Sequence, residues 1–458
     1  MKNCLTNRVG IRKSFVKLFI GYSNRLLSAE CTYVKSHNQY LETIGLFGLY
    51  TYAFGFPFSK EICYAGEWMM VGAFVLSLPH IWPMMKSDPI WKAFLILSLF
   101  LLFKAILTIV NYSEPVIDVL DAARWRLRFF WIFIVAWWIG GSYKSIHRLL
   151  IFSLFGFIIL LVIGYDHQLF MNIGNGHRID FSINAQTFSL LTVSFMLGCT
   201  FLAKEFWGVQ YRIIRILLWS FAIIVFFELT ILSLTRASWI ALSGIIIVSC
   251  LLSALHYKAS IKKNKKKVIV AIFGSLIVSC GIIVINSGAI KQRASSEIAD
   301  IKEFFLLNYE NIDTSSSFGK RFELWKWSLG EIKKYPFLGQ KIDNTSKEFI
   351  AKNQSVDKEV ANYSHVHNSY LEVLLNQGII GFIIFSFFPL YIIHTTYSLF
   401  KDHFISFRYF MFFLSIVLFF AIVNLSEAFF TKWVFWPYFS IIFGCFYSLA
   451  LWPRIREQ

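Results

Sequence analysis

Long apolar runs separated by short polar segments fill most of the chain between residues 41 and 452. About 20 apolar residues form a helix long enough to cross the roughly 30 Å hydrocarbon core of a bilayer. The pattern therefore predicts about twelve transmembrane helices, at residues 41–58, 68–85, 90–110, 127–143, 148–164, 182–203, 213–234, 236–255, 268–286, 375–396, 408–424 and 433–452. Residues Ile213 to Leu255 exceed one crossing, so we expect a tight turn near Leu234–Ser238.

The composition supports this all-α, polytopic interpretation. Hydrophobic residues make up 57% of the chain and charged residues only 16%, whereas soluble domains average roughly 45–50% and about 25%. This excludes a soluble globular protein. The seven cysteines are scattered without a CxxC pair, which argues against a disulfide framework or a zinc site.

The net charge of +17 first suggests nucleic acid as a partner. However, the basic residues cluster in alternate connections between the apolar runs, as in a membrane protein oriented by its cytoplasmic Lys and Arg. The pattern places both termini in the cytoplasm and predicts membrane lipid, not nucleic acid, as the surroundings. One external connection breaks it, because Arg124, Arg126 and Arg128 lie together where the fourth predicted span begins.

One external connection, of about eighty residues, is much longer than the others. Long ordered loops on a rigid scaffold usually carry function. Within it, Phe322, Trp325, Leu329 and Ile332 follow helical spacing between Ser315–Ser317 and Pro336, which predicts an amphipathic helix. The chain thus divides into a cytoplasmic segment, nine spans, the large loop, three spans and a tail, at residues 1–40, 41–286, 287–368, 369–452 and 453–458.

Several ionisable side chains on the external side could carry chemistry. His365 and His367 stand where the large loop returns to the membrane, and a neutral imidazole there can accept a proton from a hydroxyl near pH 7. An ordinary pair of loop histidines is the alternative. Arg236 could bind phosphate oxygens or merely extend to the interface. Similar alternatives hold for Arg178, Arg321 and the membrane-embedded Lys104.

Three motifs resemble the O-antigen ligase family of bacterial membrane glycosyltransferases. His367-Asn368, a nine-residue spacer and Gly378-Ile-Ile-Gly381 resemble the family's His-Asn and Gly-x-x-Gly signature. Ser233-Leu-Thr-Arg236 is similar to its turn with an arginine between two spans. Arg321 with Trp325, Pro336 and Gly339 resembles the Arg-led segment of its large loop.

The resemblance implies a membrane glycosyltransferase (GT-C-like) fold in a Gram-negative inner membrane, with the large loop in the periplasm. The implied donor is a glycan on undecaprenyl pyrophosphate, and the implied acceptor is a sugar hydroxyl of lipid A–core, with no metal or other cofactor. His367 would be the general base. Four cations would bind the donor pyrophosphate: Arg236, Arg321, Lys104 and Arg178. Four further residues would support the site: His365, Asn368, Gly378 and Gly381.

Two other functions stay open at this point. An O-antigen polymerase would keep the chemistry and add the glycan to another undecaprenyl-linked chain. A transporter of lipid-linked sugars would bind the same donor without cleaving it.

Overall fold

A computed structural model of the protein describes residues 39–165, 181, 183–206, 212–258, 281, 284, 288, 298–314, 316–343 and 365–457. The regular secondary structure of these residues is entirely helical. Six of the described helices are long and apolar enough to cross a membrane, or seven if one bent pair counts as a single span. The described part of the chain is therefore all-helical, and the protein is a polytopic membrane protein. The number of twelve spans and the membrane glycosyltransferase fold stay predictions.

The helices are numbered in chain order. The first seven are α1 Gln39–Gly55, α2 Lys60–Leu76, α3 Leu78–Met85, α4 Pro89–Tyr112, α5 Val116–Leu127, α6 Trp131–Ile139 and α7 Tyr143–Ile163. The next seven are α8 Ala185–Phe206, α9 Arg212–Leu232, α10 Arg236–His256, α11 Ser317–Lys334, α12 Ser369–Lys401, α13 Phe407–Val423 and α14 Phe435–Glu457. The predicted span at 268–286 lies almost entirely outside the described residues.

The second predicted span differs from the structure. Its helix α2 begins earlier, at Lys60, and the chain then bends by 78° into α3. Pro79, directly after the break, explains the bend, because proline lacks an N–H group and disfavours helical backbone at the residue before it. The fourth span is also shorter than predicted, since α6 covers only Trp131–Ile139.

The three arginines that break the predicted charge pattern each pair with a carboxylate. Arg124 lies 2.6 Å from Asp121, Arg126 lies 3.0 Å from Asp343, and Arg128 lies 2.8 Å from Glu67. The pairs of Arg126 and Arg128 join different parts of the chain, and Arg128 and Glu67 are buried. Arg126 and Arg128 therefore serve packing and do not report orientation.

Helix α14 lies at the centre of the bundle, with 94% of its best membrane window buried. Phe129 packs against it through Trp436 and Phe439 and against α12 through Phe385 and Phe388, with ring centroids 4.9–5.4 Å apart. Aromatic pairs at such distances stabilise a core beyond the area they bury. This cluster fixes α12 and α14 side by side, and the candidate site lies at the ends of these two helices.

The predicted amphipathic helix in the large loop is confirmed as α11. Ser316 caps it, its hydroxyl accepting a hydrogen bond from the Gly319 N–H at 2.9 Å. Its buried face is rotated from the predicted one, because Leu324 packs with Val366 and Leu375 of the α12 region while Leu329 is 50% exposed. Helix α11 therefore packs on the protein, over the start of α12.

Candidate active site

The two histidines lie in a short turn just before α12. His367 has a left-handed backbone, with φ of 52°, which is uncommon for a residue other than glycine and typical of strained functional sites. Asn368 caps the helix by accepting hydrogen bonds from the N–H groups of Tyr370 and Leu371, at 3.0 and 3.1 Å. The cap explains why an asparagine suits the position before α12.

Side chains from two helices hold the backbone of this turn. The Val366 N–H donates to the Glu372 carboxylate at 3.0 Å, and the Val366 carbonyl accepts from the Trp325 indole at 3.0 Å. Both polar groups of this buried residue are thereby satisfied. Trp325 belongs to α11, so the large loop directly supports the histidine turn.

A carboxylate from the connection between α13 and α14 faces both histidines. Glu427 Oε1 lies 3.3 Å from His365 Nε2, and Glu427 Oε2 lies 3.7 Å from His367 Nδ1. Ser369 ties this connection to α12, since its hydroxyl donates to the Glu427 carbonyl at 2.9 Å and accepts from the Phe429 N–H at 3.0 Å. The carboxylate is thus positioned by a hydrogen-bonded contact at the first residue of α12.

His365 uses both of its ring nitrogens within the protein. Its Nδ1 accepts the His367 backbone N–H at 3.2 Å. Burial, aided by the nearby His367, lowers the pKa of His365 to about 4, so the ring is neutral at physiological pH. A neutral ring that accepts at Nδ1 carries its proton on Nε2, which points to Glu427. In this arrangement His365 contacts the His367 backbone through Nδ1 and faces Glu427 through Nε2.

Two cations complete the cluster. Lys432 Nζ lies 3.3 Å from Glu427 Oε1. Burial would raise the pKa of Glu427, but contact with His367 and the charge of Lys432 outweigh burial, and the pKa falls to about 2. Burial lowers the pKa of Lys432, and Arg321 lowers it further. The charge of Arg321 also contributes to the lowered pKa of His365, which places Arg321 beside the cluster.

His365, His367 and Glu427 place ligand-type atoms within 4.8 Å of one another, as a metal site would. However, the Nδ1 atom of His365 already accepts a backbone N–H, so its other nitrogen is protonated. Lys432 also neutralises the same carboxylate oxygen that faces His365. The arrangement fits proton transfer better than metal binding.

The glycines of the signature form a break in α12. Gly378 has φ of 64° and ψ of −171°, a region that is essentially accessible only to glycine. At the break, the N–H groups of Ile379 and Ile380 donate to the carbonyls of Pro336 and Phe337, at 2.9 and 3.2 Å.

The large loop approaches α12 very closely at the same break. A Cβ added to Gly339 would lie 2.6 Å from the Asn376 carbonyl, and one added to Gly378 would lie 2.3 Å from the Phe337 carbonyl oxygen. Gly381 instead faces Phe100 of α4, at 3.0 Å from an added Cβ. The Pro336 and Gly339 segment and Gly378 are therefore two sides of one contact, which holds the large loop against α12.

The other predicted donor-binding cations do not all join this cluster. Lys104 is buried, and its ammonium donates to the Gln340 carbonyl at 2.9 Å. Arg236 is the first residue of α10, where Ser238 bonds Ser189 of α8 at 2.6 Å. Arg178 lies outside the described residues. Of the four, Arg321 is the cation that lies next to the histidines in the described part of the chain, and the roles of the other three stay predictions.

A cavity of about 920 Å³ lies beside the cluster and shares Glu372 and Lys432 with it. Its other walls come from α5, the start of α8, the middle of α12 and the start of α14. It is large enough for a substrate of several rings.

Sequence reasoning missed Glu427 and Lys432. Neither lies near the histidines in sequence, and neither belongs to a motif. One signal was present, since Glu427 is the single carboxylate in the short connection 424–434 between two apolar runs. Acidic groups so close to the membrane are costly unless they are paired, and they often mark function.

Comparison with known proteins supports the resemblance. Residues 220–386 match the model of the O-antigen ligase family. This range contains Arg236, Arg321, both histidines and the Gly-x-x-Gly motif. A Haemophilus influenzae protein (strain KW20 / Rd), described as an uncharacterized protein, is 29% identical over 197 residues, which cover 43% of this chain and 45% of that protein. The match thus spans less than half the length of that relative.

Proposed function

Because residues 220–386 carry a domain of the O-antigen ligase family, we propose that this protein is an O-antigen ligase of lipopolysaccharide biosynthesis. It would transfer a glycan from undecaprenyl pyrophosphate to a sugar hydroxyl of lipid A–core, at the periplasmic face of the inner membrane. The observation that carries the proposal is the contact between His367 and Glu427, at 3.7 Å, beside a cavity and a cationic Arg321.

In this proposal, His367 is the general base. Its Nδ1 atom faces Glu427, so Nε2 is the nitrogen available to take the proton of the acceptor hydroxyl. The resulting imidazolium lies against a carboxylate, which stabilises the positive charge as the acid of a catalytic triad does. A positioned general base typically contributes 10²- to 10⁴-fold to a rate.

The acceptor oxygen would then attack the anomeric carbon of the donor glycan. The bond between that carbon and the pyrophosphate oxygen breaks, and undecaprenyl pyrophosphate leaves with the bonding electrons. Arg321 and Arg236 would hold the pyrophosphate and neutralise the growing charge, an electrostatic role that is often the largest catalytic contribution. Helix α10 begins at Arg236, and the N-terminus of a helix favours a bound anion.

Product analysis with the purified full-length protein in lipid nanodiscs tests the proposal. Undecaprenyl-pyrophosphate-linked glycan and lipid A–core are supplied together, and both lipid-linked products are separated. Ligation moves the glycan onto lipid A–core and releases undecaprenyl pyrophosphate. Longer undecaprenyl-linked chains would instead indicate a polymerase, and intact donor would favour a transporter.

A further inference from the structure

The cavity beside the histidine cluster presents indole rings on its walls. Trp125, Trp433 and Trp436 all line it. The Trp125 ring is held in place, because its Nε1 donates to Asp121 at 3.2 Å and the Arg128 guanidinium lies 4.0 Å from its centroid. A flat aromatic face fixed in this way can pack against the C–H face of a sugar ring.

Carboxylates and a buried amide supply hydrogen-bond acceptors in the same cavity. Asp118 and Asp121 project from α5, and Asp343 comes from the large loop. Gln377 is 1% exposed, its amide nitrogen donates to the Ile342 carbonyl at 2.6 Å, and its Oε1 has no hydrogen-bond partner among the described residues. A buried acceptor without a donor costs free energy. A ligand with O–H or N–H groups would remove that cost and is therefore favoured in this cavity.

The cations of the cavity are already engaged. Arg126 lies 3.0 Å from Asp343, and Lys432 lies 3.3 Å from Glu427. Lys60 sits over the Tyr64 ring, 5.5 Å from its centroid. At neutral pH, phosphate oxygens only accept hydrogen bonds. The carboxylates of this cavity would repel them, and its cations are already paired, so the cavity disfavours a pyrophosphate.

We infer that this cavity binds a hydroxyl-rich glycan, whose rings stack on Trp125 and Trp433 and whose hydroxyls donate to Gln377 and the aspartates. The inference rests on the proposed function and assigns the sugar part of one substrate to a defined place. Since Glu372 and Lys432 belong to both the cavity and the histidine cluster, a glycan bound here has one end beside the reacting centre.

Two substrates carry such a glycan, and the test separates them. The probes are core oligosaccharide freed from lipid A by mild acid, glycan freed from undecaprenyl pyrophosphate, and inorganic pyrophosphate. Binding to the full-length protein in nanodiscs is measured by calorimetry, together with inhibition of transfer. We expect one oligosaccharide to bind and to compete with the substrate from which it derives. Pyrophosphate should not compete with that oligosaccharide.

Variants locate the binding. Trp125→Ala and Trp433→Ala should each weaken oligosaccharide binding about three- to tenfold, since an aromatic contact is worth ~0.5–1.5 kcal/mol, and should raise KM for the same substrate more than they lower kcat. Asp118→Asn, at an exposed position, should weaken binding without affecting the fold. Trp68→Ala is the matched control, because Trp68 is 74% exposed and lies outside the cavity.

The outcomes distinguish this inference from the proposed function. If the wild type transfers glycan while all three cavity variants keep wild-type affinity and KM, the cavity is not the glycan site, although the protein is still a ligase. A different result is that the wild type transfers no glycan but binds an oligosaccharide, and that the tryptophan variants do not bind it. In that case the ligase proposal is wrong, and the glycan site is supported. Binding of neither oligosaccharide would overturn the glycan site.

Discussion

Two short turns, at residues 365–368 and 233–236, each place a basic side chain beside the start of a helix. In each turn a residue other than glycine has a left-handed backbone, with φ of 52° at His367 and 49° at Leu234. In the second turn hydroxyl groups bond one another and the backbone, for example Ser233 with Thr230 and Thr235 at 2.7 and 2.8 Å. That turn contains no carboxylate.

The histidine turn differs because a carboxylate faces the basic group. Glu427 can orient an imidazole and stabilise its charged form, whereas residues 233–236 themselves supply only hydroxyl and backbone oxygens. The difference suggests a division of labour, in which the histidine turn moves a proton and the arginine turn holds an anion. The following predictions test that division, from the largest expected effect to the smallest.

His367→Ala should lower turnover by 10²- to 10⁴-fold, because a general base contributes about that much. His365→Ala should cost less, since His365 positions the turn. The measurement is glycan transfer by both variants at equal protein level in nanodiscs. His394→Ala, at an exposed position on α12, is the control. Loss of transfer in His365→Ala with near-normal transfer in His367→Ala would reverse the two roles.

Gly378→Ala should destabilise the protein by roughly 3 kcal/mol, since it forces a side chain into a backbone region reserved for glycine. The added Cβ would also lie 2.3 Å from the Phe337 carbonyl oxygen. Thermal unfolding of the detergent-solubilised protein should show a lower Tm. Gly330→Ala is the control, because open space surrounds Gly330. An unchanged Tm in Gly378→Ala would show that the break does not anchor the large loop.

Arg321→Ala and Arg236→Ala should each reduce use of the pyrophosphate donor about ten- to a hundredfold, because a charge-assisted contact is worth ~1.5–3 kcal/mol. Lysine should rescue only in part, since it lacks the planar fork of arginine. The measurement is kcat/KM for the donor, with Arg148→Ala on α7 as a control at an exposed arginine. Full activity of the double alanine variant would show that the arginine turn does not bind the anion.

Acid should destabilise the histidine turn. The pKa of His365 is about 4 in the folded protein, compared with 6.5 ordinarily, so the unfolded chain binds the proton more readily. The contribution of His365 to the free energy of unfolding is therefore complete above pH 6.5. It falls as the pH drops toward 4, by about 2 kcal/mol at pH 5. Tm measured from pH 7 to 5 should fall less steeply in His365→Gln. Equal slopes would mean that His365 does not stay neutral in the fold.

The sequence could predict the helices and the histidine signature because both are local patterns. Apolar runs determine α4, α7 and α12, and the spacing of Phe322 and Trp325 with a serine cap determines α11. By contrast, Glu427 reaches the histidines only through the hydrogen bonds of Ser369. The sequence separation of these residues hides that contact.

The same limit applies to features that depend on packing. Arg126 and Arg128 look like exceptions to the charge pattern until their carboxylate partners are known. From the sequence alone, Gly378 is typical of a glycine at a helix–helix contact. The structure instead places it at a break in α12, where the carbonyls of Pro336 and Phe337 accept hydrogen bonds. Both depend on contacts between segments that are far apart in sequence.

A double-mutant cycle of glycan transfer with His367→Ala and Glu427→Gln tests the coupling between base and carboxylate most directly. Glu427→Gln alone should lower the transfer rate about tenfold, the lower end of what a charge-assisted contact contributes. In the His367→Ala background the same substitution should cost less than about twofold, because the carboxylate would act through the imidazole. A further tenfold loss in that background would contradict the account, since Glu427 would then act independently of His367.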